Sequence, residues 1–302
     1  MRKLRVAMGS PEPKLVKRLA RSAWPRRAAA FTLVELLVVI GVIAILASLL
    51  LPALGQAKAR GHSISCVNNE RQLILAWQVH ADENEDRAAP NFGKDQVLQE
   101  IANGTYRNWV NNVLDWTDNP MNTNTALLFA GGIGPYLSGV HNVYRCPSDF
   151  VLSQWQQQLG WRSRVRSYSM NLMVGDAGSF STSGANTNNP YYRQFFTTTE
   201  IPQPSDIFVF IEEHPDTLDD GYFLNKAYSA NWIDLPASYH AGGANLAFAD
   251  GHVEHRKWLM SSTRWPAGAN VLSYPLALGD GTVDYIWVMR HMSIKRSSLA
   301  SH

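Results

Sequence analysis

The 302-residue chain predicts an α+β fold, in which a long N-terminal helix carries a head built on an antiparallel β-sheet. Three observations predict it. No charged residue lies between Leu36 and Leu54. Residues 207–211 (IFVFI) form a short run of β-branched and aromatic side chains. Two further strand-like segments, 245–249 and 252–258, flank the turn signal Asp250-Gly251 and read as a hairpin.

The helix comes first. At about 1.5 Å per residue, residues 31–54 are long enough to cross a hydrocarbon core of about 30 Å. A single acid, Glu35, sits near the start of this segment. A carboxylate is costly in lipid and calls for a positively charged partner, which makes Glu35 a functional candidate. Residues 1–30 hold nine Lys or Arg and one acid, a net charge of +8. The chain totals +2, so residues 31–302 carry −6. The basic cluster predicts a cytoplasmic N-terminus and an exported head in a single-pass inner-membrane protein. An acidic head is a poor match for phosphate backbones, and no nucleic-acid partner is expected for it. A cleaved secretory signal is disfavoured, because the apolar stretch is too long and no small-x-small site with a polar start follows it.

Beyond Pro52, the residues Cys66, Leu73, Trp77 and His80 keep an apolar stripe at helical spacing, which carries the helix to about Glu83. Pro52 removes one backbone hydrogen bond and is expected to bend the helix. Gly55 and Gly61 each weaken it by about 1 kcal/mol relative to alanine, which predicts loosening there. Cys66 and Cys146 both fall in the exported part. They are read either as a disulfide joining the helix to the head or as two small buried residues.

The segment 30–40 (AFTLVELLVVI) behind a basic leader resembles the type IV prepilin and type II secretion pseudopilin family, and Pro52 falls where many pilins carry a helix-kinking proline. The resemblance implies cleavage between Ala30 and Phe31 by a membrane-embedded prepilin peptidase, methylation of the Phe31 amine, and assembly with other pilin subunits into a helical filament. There Glu35 would pair with the Phe31 ammonium of a neighbour. Ala30 departs from the usual glycine before the cut. The stretches 66–73 (CVNNERQL), 145–149 (RCPSD) and 240–251 (HAGGANLAFADG) resemble a subgroup of large pseudopilin-like chains with an H-x9-DG motif. The resulting organisation is a leader over 1–30, a transmembrane and filament-core helix over 31–54, its continuation over 55–84 and a head over 85–302.

Within the head, short helices are expected near residues 126–137 and 153–159, and residues 176–190 (DAGSFSTSGANTNNP) as a mobile surface loop. Residues 207–211 read as a buried strand. Asp250-Gly251 suits a two-residue type I′ turn between the last two strands.

Two clusters are candidates for metal chemistry. The loop 212–220 holds Glu212, Glu213, Asp216, Asp219 and Asp220, hard oxygen donors of the type Ca²⁺ prefers, and calcium sites occur in some pseudopilins; the alternative is a solvated acidic loop. The second cluster is His240, Asp250, His252 and His255, with Asp234 upstream. There His240 either meets Asp250 or His252 at a metal or simply hydrogen-bonds the hairpin loop. No G-x-S-x-G, H-E-x-x-H, P-loop or G-x-G-x-x-G pattern is present, so a non-enzyme is expected. The alternatives are a membrane-anchored binding module, an adhesin or minor pilin motivated by the ten Trp and eleven Tyr, most of them expected in the core with Trp116, Trp155, Trp161 and Trp232 the least placeable, or a metal-dependent enzyme.

Overall fold

The structure is a computed structural model that describes residues 32–270 and 276–296. Ala30, Phe31 and the basic leader lie outside the described residues, as does the Pro52 side chain.

In chain order the helices are α1 (Leu33–Glu83), α2 (Lys94–Asn103), α3 (Ala126–Phe129) and α4 (Gln154–Gln158). The strands β1 (Tyr168–Asn171), β2 (Ser181–Thr182), β3 (Ala185–Asn186), β4 (Asn189–Arg193) and β5 (Phe208–Glu212) follow. Then come β6 (Tyr222–Phe223), β7 (Asn231–Trp232), β8 (Gly243–Phe248), β9 (Val253–Lys257), β10 (Leu276–Ala277) and the helix α5 (Thr282–Met292). The chain divides into two compact units between Pro52 and Ala53.

In the first unit the apolar residues of α1 are exposed around the whole helix, from Leu33 and Val34 to Leu50 and Leu51. A helix apolar on every side is suited to lipid or to the helices of other subunits. α1 runs unbroken through Pro52, Gly55 and Gly61, so the expected loosening at the glycines does not take the form of a break. Propagating an established helix costs far less than nucleating one, and strong helical flanks absorb two glycines.

In the second unit α1 buries Cys66, Glu70, Leu73, Ile74, Trp77 and Ala81, a stripe that returns every three or four residues. It packs against one face of a five-stranded sheet of order β6-β1-β5-β8-β9, antiparallel except for the β1/β6 pair. Cys66, Leu73 and Trp77 share a core there with Trp109, Tyr168, Met170, Val209 and Phe210. The opposite face carries Phe208, Ile211, Leu246 and Phe248 into a second core with Trp232, Trp258 and, from α5, Tyr285, Val288 and Met292. Every residue of β5 is buried. Covering both faces of the sheet explains why residues 207–211 read as a continuous apolar run and not as an alternation.

Two expectations need correction. Residues 176–190 are not a mobile surface loop: they contain β2, β3 and the start of β4, which form a three-stranded sheet, with Ala177, Ala185, Asn186 and Asn189 buried. Asparagine side chains do the work that an apolar core does elsewhere. Asn186 Nδ2 donates to Tyr222 Oη at 2.7 Å and Gln194 Oε1 at 3.0 Å, while Asn189 Nδ2 donates to the Asn225 carbonyl at 2.8 Å. The β8–β9 connection is a three-residue loop and not a two-residue type I′ turn. Gly251 N–H donates to the Phe248 carbonyl at 2.9 Å, and Phe248 N–H donates to the His252 carbonyl at 2.9 Å. Gly251 takes a positive φ of 97° while Asp250 does not, the arrangement of a turn closed by a glycine bulge.

Candidate functional site

At the start of the described chain, Thr32 and Glu35 form a capping box. Glu35 Oε2 accepts from Thr32 N–H at 2.9 Å and from Thr32 Oγ1 at 2.7 Å, and Glu35 N–H donates to Thr32 Oγ1 at 3.2 Å. The reciprocal bonds satisfy backbone donors that the first turn of a helix otherwise leaves open. Within a single chain, then, Glu35 holds the first turn of α1, a local role that its position in an apolar segment did not suggest.

The head contains a second site, built from four separate elements. Cys66 lies on α1, Cys146 in the turn after residue 144, Glu212 at the end of β5, and His240 in the turn before β8. Among the described residues these four form a group of metal-ligating side chains whose donor atoms all lie within 4.8 Å of one another, and all four are buried. His240 Nε2 is 3.0 Å from Glu212 Oε1 and 3.4 Å from Cys146 Sγ. Both cysteines are free thiols.

Local structure explains how each residue is held. The Asn69 side chain, one turn along α1 from Cys66, donates to the Arg145 carbonyl at 2.9 Å. The chain then turns through Cys-Pro-Ser-Asp, with Asp149 N–H donating to the Cys146 carbonyl at 3.0 Å and Asp149 Oδ2 accepting from Ser167 Oγ at 2.8 Å. Cys146 Sγ accepts from Ser148 N–H at 3.4 Å. Glu212 is fixed through its other oxygen, which accepts from Asn245 N–H at 2.8 Å. His240 stands on a tight turn in which Gly243 N–H donates to its carbonyl at 3.1 Å. A Cβ on Gly243 would lie 2.2 Å from the Arg256 carbonyl oxygen, so only glycine permits this approach of β9.

Burial sets the protonation of the group. It pushes the Cys66 and Cys146 thiols up. It also disfavours the His240 imidazolium, but the contacts with Cys146 and Glu212 outweigh it and raise His240 to about 10. Glu70, one turn from Cys66 on the same face of α1, is fully buried and held well above the usual carboxylate range, first by burial and then by the charge of Glu212. Neither oxygen of its carboxylate has a hydrogen-bond partner among the described residues. The sequence reading missed Glu70 and Asn69, although both lie in the 66–73 stretch it singled out. The available signal was their i+4 and i+3 spacing from Cys66.

Of the acids of the 212–220 loop, only Glu212 reaches this group. Glu213 accepts from Thr217 Oγ1 at 2.7 Å, and burial holds it up at about 7. Asp216 accepts from Gly268 N–H at 2.6 Å, Asp219 from Asp220 N–H at 2.6 Å, and Asp220 from Tyr222 N–H at 2.9 Å. The loop is neither a gathered oxygen cage nor a solvated acidic loop. Most of it is buried, over Arg164 and Arg166, whose guanidinium groups donate to the carbonyls of Pro215 and Asp219 at 2.8 Å each.

His240 meets neither Asp250 nor His252, and it does not hydrogen-bond the hairpin loop. Six residues of β8 separate it from that loop, about 20 Å of extended chain. Asp250 instead pairs with His252 Nδ1 at 2.6 Å on the exposed turn. His255 is the histidine that approaches His240, with ring centroids 6.5 Å apart. Of the tryptophans the sequence leaves unplaced, Trp232 is core and the Trp116 ring lies 3.9 Å from the Arg164 guanidinium, while Trp155 is exposed.

The chain was also compared with known proteins. No curated protein and no solved structure matches it. The family described as "Prokaryotic N-terminal methylation motif" matches residues 25–51, the segment that includes Ala30, Phe31 and Glu35. The match takes in the apolar first part of α1, a helix long and apolar enough to cross a membrane, and this motif indicates a type IV pilin-like precursor.

Proposed function

We propose that this chain is a structural, non-enzymatic subunit of a type II secretion or type IV pilus-related filament. A prepilin peptidase removes the leader between Ala30 and Phe31, the new Phe31 amine is methylated, and the mature chain stays in the inner membrane with its head outside the cytoplasm. The observation that carries this reading is the methylation motif at 25–51, which overlaps the start of a helix whose apolar residues are exposed among the described residues. Such a surface is stable in lipid before assembly and against sister helices afterwards.

Glu35 gives the assembly its register. In the free subunit its carboxylate caps its own helix through Thr32. In the filament it exchanges that bond for the Phe31 ammonium of a neighbouring subunit, so that a charge costly in an apolar core is compensated only at the correct stagger. The stretches 66–73, 145–149 and 240–251 carry the H-x9-DG subgroup resemblance. The cysteine, histidine and helix-borne acid in them converge on the buried site of the head.

Intact mass and N-terminal sequence of the membrane-extracted protein, produced with and without a prepilin peptidase, test the reading. The expected result is a start at methylated Phe31 only when the peptidase is present. An uncut chain beside active peptidase refutes it.

A further inference from the structure

We propose that Cys66, Cys146, Glu212 and His240 form a structural Zn²⁺ site that clamps α1 to the head. The proposal concerns the head alone and does not depend on processing at Phe31.

The donor set is two sulfurs, one imidazole nitrogen and one carboxylate oxygen. Mixed S, N and O ligation suits borderline-soft Zn²⁺, whereas Ca²⁺ and Mg²⁺ take oxygen only. The spacing agrees. Ligands on a tetrahedron around zinc, at about 2.0 Å for N or O and about 2.3 Å for S, lie roughly 3.3 to 3.8 Å from one another. The observed separations of 3.0 Å from His240 Nε2 to Glu212 Oε1 and 3.4 Å to Cys146 Sγ are close to those edges, and all four donor atoms fall within 4.8 Å.

The surroundings are those of a metal site. Glu212 presents one oxygen to the group and has the other fixed by Asn245 N–H. Cys146 Sγ receives Ser148 N–H, a bond that favours thiolate. Outer-shell hydrogen bonds of this kind orient ligands and tune their basicity.

Glu70 is an independent sign. It is completely buried, both its oxygens lack a hydrogen-bond partner among the described residues, and it interacts electrostatically with Glu212 and Cys146. Protein interiors do not leave such atoms uncompensated without a reason, and a divalent cation next to them supplies one. Four protein ligands without an open position make the site structural and not catalytic. Binding displaces the two thiol protons and the His240 Nε2 proton to solvent and changes no oxidation state.

The ligands come from α1, the turn after residue 144, the end of β5 and the turn before β8. A metal there ties the helix to the sheet at the point where the helix enters the head. A Cys66–Cys146 disulfide is the competing use of the same thiols, and it would remove both thiolates from the set.

The test uses the full chain extracted from membranes in mild detergent, without chelator or reductant, with metal content measured by mass spectrometry and thiols counted under denaturing conditions. The expected result is one zinc per chain and two free thiols after chelation. Exchange with Co²⁺ should give the intense visible absorption of a tetrahedral, thiolate-bound ion. Cys146→Ser and His240→Ala lower metal content by about tenfold or more, whereas His252→Ala, on the exposed turn, leaves it unchanged. A wild-type chain that is metal-free and takes up no Co²⁺ overturns the proposal. So does a disulfide in the isolated protein, copper or iron in place of zinc, metal that survives both ligand substitutions, or metal lost with His252→Ala. The wild-type measurements decide the question even if a ligand variant fails to fold.

Discussion

Glu35 carries two roles that compete for one carboxylate. Its bonds to Thr32 satisfy the first turn of α1, and the proposed filament contact requires it to release them. Replacing a capping residue costs about 1 kcal/mol, a small penalty beside the loss of a register-setting charge pair in an apolar core. Glu35→Ala is therefore expected to be cleaved normally and to assemble poorly, as read by N-terminal sequencing and sheared-filament yield. Wild-type filament yield would count against the register role. Glu100 shows how the head holds a buried charge with an exposed partner. The Arg107 guanidinium bonds it at 3.0 Å and, against the opposing effect of burial and with help from Thr105, holds its carboxyl down at about 2. The folded value lies below the ordinary 4.5, so the contribution is complete above pH 4.5 and disappears as pH falls through about 2. Arg107 is largely exposed, which keeps the effect modest. Glu100→Gln should cost about 1 to 2 kcal/mol at neutral pH and flatten the fall of thermal stability between pH 4.5 and 2. An unchanged pH profile would exclude the pair as a contributor.

At the scale of elements, the second half of α1 is held by one face only. Trp77 is buried in the core shared with the sheet, whereas Leu75, two residues earlier, is 59 % exposed. Trp77→Ala should destabilise the head by about 3 to 5 kcal/mol, and Leu75→Ala by less than about 0.5 kcal/mol, in thermal unfolding of the detergent-solubilised chain. Equal effects would mean that the helix does not dock through this stripe. The β8–β9 hairpin depends on Gly251, the residue of its loop at positive φ. Gly251→Ala is expected to cost about 1 kcal/mol or more through backbone strain. Asn186 gives its β-element a different support, because its side chain bonds Tyr222 and Gln194 while buried. Asn186→Ala leaves those partners unsatisfied, at a cost of about 1 to 3 kcal/mol.

At the scale of the whole molecule, the head is a sheet covered on both faces, with α1 on one and α5 on the other, and four of its segments meet at one buried group of ligands. If that group holds zinc, chelation of the full chain lowers its melting temperature, and zinc restores it in wild type but not in Cys146→Ser. The parts whose cause is local are legible in the order of residues alone. A helix that crosses a membrane needs only an uninterrupted apolar run, a processing motif is contiguous, and the strand at 207–211 and the hairpin around Gly251 follow from side-chain pattern and turn chemistry over a few residues. α5 was equally legible, since Tyr285, Val288, Met289 and Met292 repeat at helical spacing, yet it went unread. Residues 176–190 misled, because asparagine, glycine and serine are the composition of a loop. Only tertiary contacts show that Asn186 and Asn189 are buried with their hydrogen bonds satisfied. The metal group was decided wholly by the fold. Glu212 was read with the acids adjacent to it and His240 with the Asp250 ten residues beyond, but β8 carries Asp250 away to the far turn, while antiparallel pairing brings β5 and β8 together. Cys66 and Cys146 are eighty residues apart in the chain and have no spacing that marks them as ligands. Chemistry that depends on proximity in space is invisible to a reading by proximity in sequence, and here the packing of α1 on the sheet supplies the proximity.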